Sequence, residues 1–143
     1  MVAELYQQAI MAAAKARTGA GRLVDADASA TVDNPLCGDR ITLDVKMDHG
    51  QVAQIGHKVR GCLLCEAAAS VLGARASGLP PQRLHEIAEA FELMIRKDGP
   101  TPADWPELDV FTPVKAVRSR HECVLLPFNA LLEAVDQTAP GRF

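Results

Sequence analysis

The sequence predicts one domain that combines α-helices with an antiparallel β-hairpin. Three observations carry that reading. Ile41, Leu43, Val45 and Met47 alternate with Thr42, Asp44 and Lys46, the period of a half-buried strand, and "DHG" at 48–50 turns the chain back into "QVAQIGHKV". Leu84, Ile87, Ala88, Phe91 and Met94 recur at steps of three and four, the period of an amphipathic helix. A length of 143 residues with 48% hydrophobic content is enough for one buried core without disulfides.

Each element follows in turn. "LYQQAIMAAAKA" places Leu5, Ile10 and several alanines at helical spacing, and the glycines of "RTGAG" end a first helix over roughly residues 3 to 17. "SATVDNP" reads as a short strand cut off by Pro35, and the hairpin comes next. "GCLLCEAAASVLGARASG" has the alanine-rich composition of a helix that starts at a glycine, with Cys62 and Cys65 in its first turn and Gly78 as its C-cap. Pro80 and Pro81 break the chain before the amphipathic helix, which "RKDG" closes. "PTPADWP" is a loop of three prolines. The last helix lies within "CVLLPFNALLEAV", where Pro127 is expected in the first turn, so that Cys123 sits at or just before a helix N-terminus. "TAPGRF" reads as a frayed tail.

Composition narrows the function. Fifteen Lys and Arg against 18 Asp and Glu give a net charge of −3, which argues against a nucleic-acid or anionic-membrane surface. Glu4 and Gln7–Gln8 interrupt the apolar run that a signal peptide needs, and no stretch approaches membrane-spanning length, so the expected location is the cytoplasm. Four cysteines, Cys37, Cys62, Cys65 and Cys123, are then expected as reduced thiols, suited to metal binding or thiol chemistry.

Cys37, Cys62 and Cys123 share one kind of setting, the junction of a loop with a strand or helix. Thiolates at helix N-termini are stabilised by unsatisfied amides and the positive dipole end, which favours the form that binds metal or attacks sulfur. With Asp39 as an oxygen donor, three thiolates and a carboxylate can complete a tetrahedral zinc shell or hold an iron–sulfur cluster through one weaker, exchangeable ligand. The alternative reading is a set of small buried hydrophobes, with Asp39 capping the turn from Asn34 to Arg40.

"LYQQAI", "NPLCGDRITLDVKMDHGQVAQIGHKVRGC", "AAAS" and "RHEC", in that order along nearly the whole chain, resemble the scaffold proteins of iron–sulfur cluster assembly, the family of IscU, SufU and the NifU N-terminal domain. The "NPxCGD" corner, the "GC" that opens a helix and a third cysteine before the last helix together make the likeness specific. The resemblance implies one such domain over residues 1–143, of α+β class, with a three-stranded antiparallel sheet packed against several helices and the site at one end. It implies Cys37, Cys62 and Cys123 as the functional cysteines, the sulfur acceptor among them, and Asp39 as the carboxylate partner.

Cys62 and Cys123 are 123 minus 62, or 61, residues apart, a longer gap than the IscU branch has. The added length falls in "RKDGPTPADWPELDVF", which resembles the SufU insertion, and Arg120, three residues before Cys123, suits the same branch. SufU-like proteins bind zinc and take persulfide sulfur from a cysteine desulfurase. IscU-like ones build a 2Fe-2S cluster on the same residues and pass it to recipient iron–sulfur proteins or carriers. Both roles are those of an acceptor or scaffold rather than a conventional enzyme. A purely structural zinc is a third possibility outside the family. "TPVKAVRSRHEC" lacks the Leu-Pro-Pro-Val-Lys segment that the IscU branch offers to a chaperone, and "ARTGAGR" replaces the family's Asn-Pro-Arg-Asn type of segment after the first helix.

Several residues have two readings. "CLLC" on a helix would put the Cys62 and Cys65 sulfurs on one face, so Cys65 is a further ligand, a resolving thiol or a core residue. His121, two residues before Cys123, is a candidate ligand. His57 shares its strand face with Ile55 and Val59 and reads as a satisfied core histidine, while His49 is a turn residue and His85 lies on the amphipathic helix. Arg40, Arg118 and Arg120 are solvated charges or groups that face an acidic partner. Trp105 and Phe111 are packing anchors or, if exposed, interface residues.

Overall fold

The computed structural model describes residues 2–36 and 38–138, with side chains from residue 7 onward. Among the described residues, the order is α1 (Val2–Ala16), β1 (Ala28–Asn34), β2 (Asp39–Asp48), β3 (Gln51–Arg60), α2 (Leu63–Arg75), α3 (Pro81–Lys97), two 3-10 segments (Pro106–Ala116 and Arg118–Arg120) and α4 (His121–Asp136). The class is α+β, as expected. The strands form one antiparallel sheet in the order β1-β2-β3. Cys37 and the tail from residue 139 on lie outside the described residues, as does the Leu5 side chain.

One face of the sheet makes the core. Ile41 pairs with Val32 and Val59, and Leu43 with Ala30 and His57; Ile41, Leu43 and Val45 have no exposed surface. Helices α2 and α4 cover this face, α1 lies on α2, and α3 on α4. The face covered by helices is therefore apolar, and the opposite face carries Thr31, Arg40, Thr42, Lys46, Lys58 and Arg60.

Asp44 departs from the simple alternation. It lies on the polar face, yet it is fully buried under the segment that follows α1. Arg22 donates to it from Nε at 2.7 Å and Nη2 at 3.0 Å, the Leu23 amide at 3.0 Å and the Ser29 hydroxyl at 2.5 Å. Burial alone would raise its pKa; the bonds from Arg22, Ser29 and Leu23 and the Arg22 charge outweigh it, and the carboxyl is held below the usual range.

Three boundaries differ from the sequence reading. Helix α2 ends at Arg75, with Ala76 at its C-cap. Gly78, at φ +89°, sits in the turn beyond and donates its amide to the Val52 carbonyl at 2.7 Å, tying the turn to β3. Helix α4 begins at His121, so Pro127 lies in its second turn rather than its first, and Cys123 is the third residue of the helix. The 3-10 turn Arg118–Arg120 leads into α4, which lets it start before Cys123. A proline supplies no N–H to the carbonyl four residues back, here that of Cys123.

The third difference is the region after "PTPADWP", which forms the 3-10 helix Pro106–Ala116. Trp105, Leu108, Phe111 and Val114 are all buried. Their spacing of three is the period at which 3-10 side chains eclipse. Phe111 meets Phe91 with ring centroids 5.8 Å apart, and Trp105 meets Phe128 at 5.9 Å. Trp105 and Phe111 are thus the packing anchors of the insertion, seated on α3 and α4.

Candidate metal centre

Asn34 ends β1 and starts the corner that leads to the site. Its side-chain oxygen accepts the Leu36 amide at 3.1 Å and its carbonyl accepts the Gly38 amide at 2.8 Å, an Asx-type turn that reverses the chain into β2. Asp39 is the first residue of β2, paired with Asn34, and is 2% exposed. Cys62 follows the end of β3 by two residues and occupies the N-cap position of α2, at φ −79° and ψ 168°. Cys123 is buried on the first turn of α4.

These three elements meet at one end of the sheet. One donor atom from each of Asp39, Cys62 and Cys123 lies within 4.8 Å of the others. Asp39 also builds the corner: Oδ1 accepts the Cys62 amide at 2.9 Å, and Oδ2 lies 3.4 Å from the half-buried Cys62 sulfur. The carboxylate therefore holds the start of α2 as well as facing the thiol. A tetrahedral zinc shell of thiolates and a carboxylate has edges of about 3.5–3.8 Å, so the donor types and spacing suit such a group.

Gly61 makes this approach possible, a role that sequence reading missed. A β-carbon there would stand 2.3 Å from Asp39 Oδ1 and 2.7 Å from its carboxyl carbon. The visible signal was a glycine immediately before a cysteine.

Cys37 lies outside the described residues, and the other candidates, Cys65, His121 and the arginines, are not among these three donors. Cys65 is fully buried in the hydrophobic core. Cys62, with its extended backbone, stands at the N-cap before the first helical turn, whereas Cys65 lies within α2. His121 is buried and its Nε2 stands 3.0 Å from the Lys115 carbonyl, which joins the start of α4 to the end of the 3-10 insertion. Arg120 and Arg118 are exposed on the turn before α4. Arg40 is engaged by Asp33, Nε to Oδ1 at 2.6 Å.

His57 is a satisfied core histidine. Its Nε2 lies 2.8 Å from the Thr18 carbonyl. Burial, followed by the nearby Arg17 charge, lowers its pKa against the opposing effects of the Thr18 bond and Glu66. His49 sits in the hairpin turn with its Nδ1 2.7 Å from Asp48, and His85 bonds Asp136 at 2.7 Å between α3 and α4. No helix among the described residues is long and apolar enough to cross a membrane.

The chain is similar to known proteins in sequence and fold. The sequence model of the NifU-like N terminal domain matches residues 5–98. The chain is 28% identical over 131 residues to the iron-sulfur cluster assembly scaffold protein IscU of Thermotoga maritima, covering 92% of each chain. It is 29% identical over 141 residues to the zinc-dependent sulfurtransferase SufU of Bacillus subtilis, covering 96% of this chain and 94% of that one. The crystal structure of a NifU-like protein (N-terminal) from Brucella abortus superposes with a TM-score of 0.88 at 30% identity, over 96% of this chain and 99% of that one.

Proposed function

The chain belongs to the NifU-like N-terminal domain family, and from that premise we propose that it serves iron–sulfur cluster assembly as a zinc-binding acceptor of persulfide sulfur from a cysteine desulfurase. The observation that carries the reading is the convergence of the Asp39, Cys62 and Cys123 donor atoms within 4.8 Å. The likeness to the zinc-dependent sulfurtransferase, over 96% of this chain, supports it. Cys37, two residues ahead of Asp39, would complete a set of three thiolates and one carboxylate. Residues 1–143 would act as one domain in the cytoplasm, with protein partners rather than nucleic acid or membrane.

Bound zinc would keep the cysteines deprotonated at neutral pH. The chain's own residues supply the rest. Asp39 is the one oxygen donor of the set, hence the most readily exchanged, and its bond to the Cys62 amide fixes where it returns. A thiolate among Cys37, Cys62 and Cys123 attacks the outer sulfur of the desulfurase persulfide. A new S–S bond forms, the donor's S–S bond breaks, and the donor cysteine leaves as a thiolate, so sulfur moves with no net oxidation.

A second reading, a scaffold that builds a 2Fe-2S cluster on the same residues and passes it on to recipient proteins or carriers, is favoured by the likeness to the Thermotoga maritima protein. Anaerobic loading with zinc, or with iron and sulfide, followed by incubation with desulfurase and cysteine separates the two. Zinc retention with sulfur found by mass on a cysteine of the set supports the acceptor. A stable cluster chromophore with transfer to an apo-ferredoxin supports the scaffold instead. Zinc that neither exchanges nor permits sulfur uptake would leave a structural site and overturn both.

A further inference from the structure

The end of the sheet that carries Asp39 also carries an imbalance of charge. Arg40 and Arg60 stand directly opposite each other across β2 and β3, on the face turned away from the helices. Like charges in such a cross-strand pair oppose sheet formation. Arg40 is countered by Asp33, its partner on β1. Arg60 has no ion pair among the described residues, and neither has Lys58, the next cation along the same face of β3. The clustering runs against a chain whose net charge is −3.

The position of this charge is informative. Asp33, Arg40 and Arg60 line a shallow cleft together with Gly38 and Gly61, and those two glycines are the chain neighbours of Asp39 and Cys62. The cleft thus opens beside the donor group. Leu36, 90% exposed, and Leu63, 40% exposed, flank the same corner in sequence, one before Cys37 and one after Cys62. Exposed apolar side chains bordered by unneutralised cations have the anatomy of a protein interface, an apolar centre with a charged rim.

We propose that this corner docks an acidic surface of the sulfur-donating protein, with Arg60 and Arg40 meeting its carboxylates and Leu36 and Leu63 covered at the contact. The inference rests on the sulfur-acceptor reading above. Complementary charge at a rim mainly raises the rate of encounter and makes binding sensitive to salt. Arg60 is the informative residue, because reversing its charge breaks no ion pair within the fold.

The test is direct binding of the zinc-loaded chain to the cysteine desulfurase by titration calorimetry, run beside sulfur uptake. Arg60→Glu should keep the zinc content of wild type and unfold at or above its temperature, since the like-charge pair with Arg40 is relieved, while weakening binding about tenfold and flattening its dependence on salt between about 50 and 300 mM. Lys97→Glu, a charge reversal on the exposed last turn of α3, should bind as wild type does. Arg60→Glu binding within twofold of wild type, with sulfur uptake intact, would overturn the docking surface and leave the proposed function standing. Wild type that binds in an Arg60-dependent way yet takes up no sulfur would do the reverse, and wild type that neither binds nor takes up sulfur would overturn both.

Discussion

Gly61 and Asp39 approach so closely that a β-carbon on residue 61 would lie 2.3 Å from Asp39 Oδ1. The backbone of Gly61 has no positive φ, so space alone demands glycine here. Gly61→Ala must displace the carboxylate, and with it the acceptor of the Cys62 amide. Overpacking of this kind costs about 1–3 kcal/mol. The expected result is a lower unfolding temperature and faster loss of zinc to a chelator. A variant that matched wild type in both would show that Asp39 can shift without consequence.

Among the described residues Asp39 has two separable tasks, the cap on α2 through Oδ1 and the approach to the thiol through Oδ2. Asp39→Ala removes both, and loss of an N-terminal acceptor costs about 1 kcal/mol. Asp39→Asn keeps a neutral oxygen for the amide. We expect the asparagine variant to recover most of the stability but, like alanine, to change the rate of metal exchange and sulfur uptake, while the thiolates still retain metal. Wild-type uptake by the alanine variant would reduce the carboxylate to a turn cap.

Among the described residues one histidine, His57, and two carboxylates, Asp44 and Glu107, have lowered pKa values and add stability that acid removes, the histidine and the carboxylates in separate windows. The folded pKa of His57 is lowered, so the unfolded chain takes up that proton first; the contribution is whole above about pH 6.5 and is lost as pH falls through the lower folded value. Asp44 is likewise lowered, and its contribution is whole above about pH 3.8 and lost further into acid. Urea unfolding across pH should show both losses. His57→Gln should remove the upper one and leave the lower; an unchanged profile between about pH 6.5 and 5 would refute the assignment to His57.

The elements that the sequence displayed most clearly are those whose periodicity coincides with burial, β2 and α3. Where a second layer intervenes, the pattern misleads: Asp44 keeps the polar phase of its strand yet is buried, because Arg22 and Leu23 fold back over it. Trp105, Leu108, Phe111 and Val114 displayed a period of three, but three prolines in "PTPADWP" suggested only a loop. At the site, residue types and order made Asp39, Cys62 and Cys123 legible. The clearance at Gly61 was not, since it depends on a carboxylate 22 residues earlier, 61 minus 39. The same holds for the supposed pairing of Cys62 with Cys65. Spacing alone assumed a helix through both, whereas an N-cap residue stands outside the helical repeat.

That last point leads to a test of Cys65. Cys62 is half-buried with its sulfur turned to Asp39, while Cys65 has no exposed surface and is part of the core beside Ala68, Ala69 and Leu72. A thiol in that position cannot meet an alkylating reagent without local or global unfolding. Alkylation followed by mass mapping should therefore label Cys62 readily in the metal-free protein and slowly in the zinc-loaded one, and Cys65 in neither until denaturant is added. Cys65→Ala should keep wild-type zinc content and sulfur uptake and lose only the stability that a small cavity costs, about 1 kcal/mol. A Cys65 as reactive as Cys62 in the metal-free form, and shielded together with it on zinc addition, would instead require the first turn of α2 to rearrange and would add Cys65 to the site.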